Sequence, residues 1–304
     1  MPEIASQAGF SLIEMVMAIT IIGILSAITV GFLRMPLQTY QDITRRTALT
    51  ETADFALRRI TRDVQGALPN SVRVSGPGGG ACIYDGVTPC YLEFIPIVTG
   101  GRYRKQSGGG AAVCPVAPGL TDALDFDAND TCFATLGSIP NPGAVNARQF
   151  LVVANFGPGI ANADAYAAIE PGNNRALNVA ITAGSQGTNE DQITFAAHNF
   201  SLTSPNSSFQ IVDTPVTYAC NPVTRTLTLM AGYGFSSAQG TPPAGATTTA
   251  LLANNVTRCL FVFNTSAVTQ RNNFVLMTLE LTESDAGGGN SESIQLLMQA
   301  RVSN

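Results

Sequence analysis

Gly9-Phe10-Ser11-Leu12-Ile13-Glu14 opens an almost unbroken apolar run that continues to Leu33, interrupted mainly by Ser11, Glu14, Thr20, Ser26 and Thr29. The 24 residues from Phe10 to Leu33 make a helix of roughly 36 Å at about 1.5 Å per residue, enough to cross a hydrocarbon core of ~30 Å with some tilt. Arg34 ends the run. After Pro36 the pattern turns amphipathic, with Leu49, Ala53, Leu57, Ile60, Val64 and Leu68 three or four residues apart on one stripe. The opposite face carries Asp42/Arg46, Asp54/Arg58 and Arg59/Asp63, opposite charges at i,i+4 that read as a solvated surface. Pro69-Asn70 stops the helix, so the first 68 residues read as one long helix, half apolar all round and half one-sided.

From Ser71 the chain changes to short runs rich in β-branched and aromatic residues, separated by Gly, Pro and Asn. The strand candidates are Tyr91–Val98, Phe150–Ala154, Gln192–Ala196, Phe209–Tyr218, Thr224–Met230, Val256–Phe263, Phe274–Leu281 and Ser293–Val302. Glu283–Ser291, with Gly287-Gly288-Gly289, is expected to be a loose hairpin connection between the last two. Gly100–Gly143 and Ser236–Thr249 are dense in Gly, Pro, Ala and Thr without either period, and are expected to be long surface loops. The fold class is therefore α+β: a long N-terminal helix packed on a β-rich, mainly antiparallel head.

At 304 residues, 45% apolar and 12% charged, the chain can bury one large core or two small ones. A net charge of −5, with Lys105 the only lysine, argues against a dedicated nucleic-acid binder, because phosphate contacts need clustered cations. Six cysteines follow the apolar segment, and their even number fits an oxidising compartment. The zinc alternative is weaker, since no C-x2-C pair occurs and His198 is the only histidine. Nearness in sequence, and the strand setting of the last pair, favour Cys82–Cys90, Cys114–Cys132 and Cys220–Cys259.

The hexapeptide at Gly9, followed directly by the apolar helix, resembles the class III signal of type IV prepilins and type II secretion pseudopilins. The resemblance implies that a membrane prepilin peptidase cuts after Gly9 and N-methylates Phe10, and that Glu14 serves assembly. Residues 1–9 would be the leader, 10–69 the pilin helix with its transmembrane part at 10–33, and 70–304 an extracytoplasmic head. An acid inside a membrane segment costs about 2.5–3.5 kcal/mol and usually has a partner. Here the amine made by cleavage, four residues before Glu14, could serve as that partner on a neighbouring subunit. A secretory signal peptide would be expected to show a basic start, no internal acid and a small-residue cleavage site after the apolar stretch. This chain has no Lys or Arg before Arg34, although prepilin leaders usually have one.

Further along, Pro36, Ala56–Asp63 (ALRRITRD), Ala67–Val74 (ALPNSVRV), Val216–Cys220 (VTYAC) and Val256–Cys259 (VTRC) resemble the large minor pilins. The likeness extends to the J/W-type minor pseudopilins and is strongest to the MshO type of the mannose-sensitive haemagglutinin (MSHA) pilus. It implies a subunit that starts or caps a pilus, resident in the inner membrane with a periplasmic head before assembly and in the pilus or its tip afterwards. Its partners would be prepilin peptidase, other minor pilins, the major pilin and the inner-membrane assembly platform. Alternatives are a type II secretion pseudopilin, a pilus-tip adhesin and an anchored enzyme. No catalytic residue or cofactor is assigned: His198 lacks a G-x-S-x-G elbow, and the Gly triplets at 78–80, 108–110 and 287–289 lack the context of a phosphate loop. Asp125, Asp127, Asn129 and Asp130 form a weak calcium candidate, lacking the sixth-position glycine and, at Leu136, the bidentate acid of an EF-hand.

Gly9→Leu is expected to block processing and leave a membrane-bound precursor. Intact-mass measurement decides it: the variant should retain residues 1–9 while the parent loses them.

Overall fold

The computed structural model describes residues 11–106, 122–184, 190–263, 274–284 and 291–302. Gly9, Phe10, Cys114 and therefore the Cys114–Cys132 pairing lie outside the described residues. Helix α1 runs from Leu12 to Gln65 without a break, passing through Pro36, which has no amide hydrogen to give to the carbonyl four residues back. Its second half supplies Leu49, Ala53, Ala56, Leu57, Ile60 and Val64, all buried, as one wall of the main core. Each of the larger aliphatic side chains among them contributes roughly 1.5–3 kcal/mol of burial. The helix stops three residues earlier than its apolar period predicts. Gly66 and Ala67 fold their amides back onto Asp63 and Val64 at 3.1 Å, and the Leu68 amide turns away to donate to the Ile95 carbonyl at 2.7 Å.

Strands β1 (Arg73–Ser75) and β2 (Cys90–Phe94) come first. The chain then makes an excursion through β3 (Ile97–Arg102), β4 (Asp130–Ala134), β5 (Phe150–Val153), β6 (Arg175–Ala176), β7 (Ala180–Thr182), β8 (Gln192–His198) and β9 (Ser208–Val212). It returns as β10 (Val216–Asn221), β11 (Thr226–Ala231), β12 (Thr248–Ala253), β13 (Val256–Phe263), β14 (Phe274–Ser284) and β15 (Ser291–Arg301). All pairings between these strands are antiparallel. One core lies among α1, the sheet β1-β2-β10-β11-β12 and the sheet β13-β14-β15. A second core lies between the sheets β3-β9-β5-β6 and β4-β8-β7.

Two expected strands are each divided by a proline. Tyr91–Val98 breaks at Pro96 into β2 and β3, and Phe209–Tyr218 breaks before Pro215 into β9 and β10. Proline cannot donate to a ladder, so each run changes sheet there. The two crossings lie together: the Asp213 amide donates to the Pro96 carbonyl at 3.0 Å, and the Ile97 amide donates to the Gly66 carbonyl at 2.9 Å. Beyond the crossings, β10 is hydrogen-bonded directly to β2, with Cys220 opposite Cys90, so the excursion leaves and re-enters the first sheet between neighbouring strands.

Gly100–Gly143 is not simply the surface loop its composition predicts. It supplies half of β3, all of β4, and the buried Tyr103, Leu124, Phe133 and Ile139 of the second core. Aromatic rings replace the aliphatic period there, with Phe133 edge-on to Phe209 at 5.1 Å and Tyr103 against Phe126 at 5.5 Å. On the helix, Asp42 is held by Arg45 at 3.2 Å, one residue nearer than expected.

Cys82 is bonded to Cys90 and Cys220 to Cys259. The second bond is buried and ties β10 of one sheet to β13 of the other across the main core. Closing a loop with a sequence separation of 39 is worth about 3–4 kcal/mol on the chain-entropy account.

Leu57→Ala is expected to lower unfolding free energy by about 2–5 kcal/mol, because Leu57 is 1% exposed at the centre of the core. Ile43→Ala, at 59% exposure on the same helix, is expected to change it by less than about 0.5 kcal/mol. Urea unfolding in detergent, followed by near-ultraviolet circular dichroism, compares the two.

Candidate functional site: the N-terminal helix and its outer face

From Leu12 to Thr29 no residue is buried and the mean hydropathy is 2.2. Large aliphatic side chains, mostly isoleucine, occur on every face, so no stripe selects a partner within the chain. Such a surface needs lipid or other apolar helices against it. Glu14 lies in the first turn, where its Oε2 accepts the Ser11 amide at 3.1 Å. A carboxylate there is favoured by the helix dipole and by the free amides of the first turn. It also points toward the N-terminal end of the helix, the direction in which cleavage after Gly9 would create an amine.

The outer face of the second half is less uniformly polar than its charge pairs imply. Arg58 and Asp54 pair at 2.6 Å and Arg59 approaches Asp63 at 3.7 Å. Between and above them Tyr40, Ile43 and Phe55 stand exposed, Phe55 by 64%. Their spacing puts Tyr40 and Phe55 roughly opposite the buried stripe of Ala53, Leu57 and Ile60, with Ile43 at the edge of that stripe. This extension of the apolar surface beyond the membrane segment was missed from sequence. The signal was present, since Tyr40 and Phe55 share no helical face with Leu49 and Leu57.

Asp63 joins this outer face to the core. The buried Tyr218 hydroxyl donates to Asp63, and both its burial and that carboxylate push the phenol well above its ordinary range. In the head, Glu93 is buried but fully engaged: Arg73 donates at 2.6 Å and the Tyr233 hydroxyl at 3.1 Å. Arg73 also donates to the Ser236 and Ser237 carbonyls at 2.9 Å and lies over the Tyr166 ring at 3.6 Å. This cluster fastens the segment after β11 onto β1, β2 and the excursion.

In the calcium candidate, Asp130 and Asp125 accept bonds from backbone amides. Asp130 accepts the amides of Asp125, Thr131 and Cys132, Asp125 accepts that of Asp127, and burial raises the Asp130 carboxyl above its usual range. Among the described residues no three His, Cys, Asp or Glu side chains are grouped so as to hold a metal. His198 is buried, with Nε2 2.9 Å from the Asn173 carbonyl oxygen and its ring edge-on to Phe200 at 4.7 Å.

Residues 4–30 match the family model described as the prokaryotic N-terminal methylation motif. No curated protein and no solved structure matches the chain. The motif is the signal of type IV pilins and pseudopilins, and with the apolar helix behind it the chain is pilin-like and suited to membrane anchoring at its N-terminus.

Glu14→Gln is expected to leave membrane insertion unchanged or improved and the head as stable as before, while weakening recruitment to other subunits. At an effective dielectric near 20 a pair at about 4 Å is worth about 4 kcal/mol before desolvation. Retaining a third of that corresponds to about a tenfold loss of crosslinked complex. Carbonate extraction and site-specific crosslinking read the two effects separately.

Proposed function

We propose that this chain is a minor pilin that helps initiate or cap a type IV pilus of the MSHA kind, of MshO type, acting by assembly and not by catalysis. The observation that carries the reading is the methylation motif placed on a helix whose first half has no protein against it and whose second half is a wall of the head's core. Prepilin peptidase would release residues 1–9 and methylate Phe10. The membrane would hold residues 10–33 with the head in the periplasm until the subunit enters the filament. There the apolar first half would leave lipid for the equally apolar helices of neighbouring subunits, and Glu14 would meet a neighbour's amine.

Size supports a minor role. The head of residues 70–304 is too large to repeat easily at every step of a thin filament whose subunits pack through their N-terminal helices. The exposed Tyr40, Ile43 and Phe55 would extend those contacts above the membrane. A type II secretion pseudopilin would use the same anchor and the same helix face.

A deletion strain tests the reading. Loss of surface pili, restored by the parent gene, is expected; normal pili that no longer attach would indicate a tip adhesin, and normal pili with failed protein export a pseudopilin.

A further inference from the structure

Between the end of α1 and the excursion lies a groove of about 400 Å³, within the range of small-ligand sites. Its lining contains no charged side chain and is dominated by amides: Gln65, Asn70, Asn155, Asn206 and Gln210, with Phe156 and Pro205 as apolar surfaces. One wall is pinned by a reciprocal pair of bonds. Asn70 Nδ2 donates to the Asn155 carbonyl at 2.9 Å, and Asn155 Nδ2 donates to the Pro69 carbonyl at 2.6 Å. The other wall is the turn at Ser204–Ser207, closed by the Ser207 amide on the Ser204 carbonyl at 3.0 Å and supported from below by the Tyr103 hydroxyl and Arg102.

The backbone around the groove is unusual. Among the described residues eight non-glycine residues have positive φ, and three belong to these walls: Asn70 (60°), Ala154 (55°) and Ser207 (54°). Alanine and serine gain little from that conformation, and such outliers concentrate where a surface is shaped for a ligand. Meanwhile the side-chain amides of Asn206 and Gln210 make no hydrogen bond among the described residues, and Phe156 is 38% exposed. The groove therefore offers unused donors and acceptors beside an exposed aromatic surface.

We propose that this groove binds a neutral saccharide of one or two rings. A charged ligand would lose its hydration without a counter-charge, and a wholly apolar one would leave the amides unpaired. A sugar meets both demands, since its hydroxyls pair with Asn206 and Gln210 and its C–H face lies on Phe156. The inference goes beyond the assembly role and does not depend on it.

The test uses the full chain in a sugar-free zwitterionic detergent, titrated by calorimetry with a panel of neutral hexoses, N-acetylhexosamines and disaccharides, and in parallel with uncharged oligopeptides. At least one saccharide is expected to bind, with affinity unchanged between low and physiological salt. Asn206→Ala, Gln210→Ala and Phe156→Ala are each expected to weaken it about threefold to tenfold, with melting temperatures like the parent's. Asn206 and Gln210 provide variants that remove no bond among the described residues. The proposal is overturned if no saccharide binds the folded parent, if only oligopeptides bind, or if binding survives all three substitutions.

Discussion

Eighteen residues of helix, Leu12–Thr29, have no protein against them, while one face of the same helix from Leu49 onward is buried in the head. Leaving a large aliphatic side chain in water forfeits roughly 1.5–3 kcal/mol each, so the first half can be stable only where lipid or other apolar helices cover it. Because α1 is continuous from Leu12 to Gln65, the segment that needs this cover is the one around which the head folds. Anchor and core are one rod. That coupling is what an assembling subunit needs, since a head attached to the core end of the rod is carried wherever the rod's apolar end is packed.

The head is organised by where the rod ends. Residues 66–68 leave the helix to bond with Ile95 and Ile97, at the point where the chain crosses between the two cores. Pro96 and Pro215 mark the outward and return crossings, and a small cluster of Leu68, Ile95, Val152, Ala165, Tyr166 and Val212 fills the junction. The main core is additionally closed by the buried Cys220–Cys259 bond. The excursion's aromatic core is thus joined to the rod through the junction, and the uncharged groove opens beside it.

The long helix was legible because its aliphatic period and its uninterrupted apolar run are both physical necessities of its two environments. The edge hairpin β14–β15 was legible for a similar reason, with two largely apolar runs flanking glycines. The excursion was legible only in part: Phe150–Ala154 and Gln192–Ala196 read as strands and form β5 and β8. Tyr91–Val98 and Phe209–Tyr218 read as single strands because apolar period carries no information on which sheet a residue joins, and the proline in each run marked the change. The second core was hidden because its rings, Tyr103, Phe126 and Phe133, are scattered in Gly- and Ala-rich sequence without period. In the oxygen-rich Asp125–Asp130 turn, the Asp130 carboxylate and one Asp125 oxygen accept local amides, a use that composition does not reveal. The groove draws Gln65, Asn155 and Asn206 from three distant stretches, so no local pattern could announce it.

The account stands on the N-terminal helix remaining part of the working protein, with its signal processed. Mass spectrometry of the mature chain recovered from sheared surface filaments tests this most directly. The account predicts a chain that begins at Phe10, carries one methyl group on its amine and retains the whole of α1. A chain that begins after Leu33, with the apolar segment removed as a secretory signal, would contradict it.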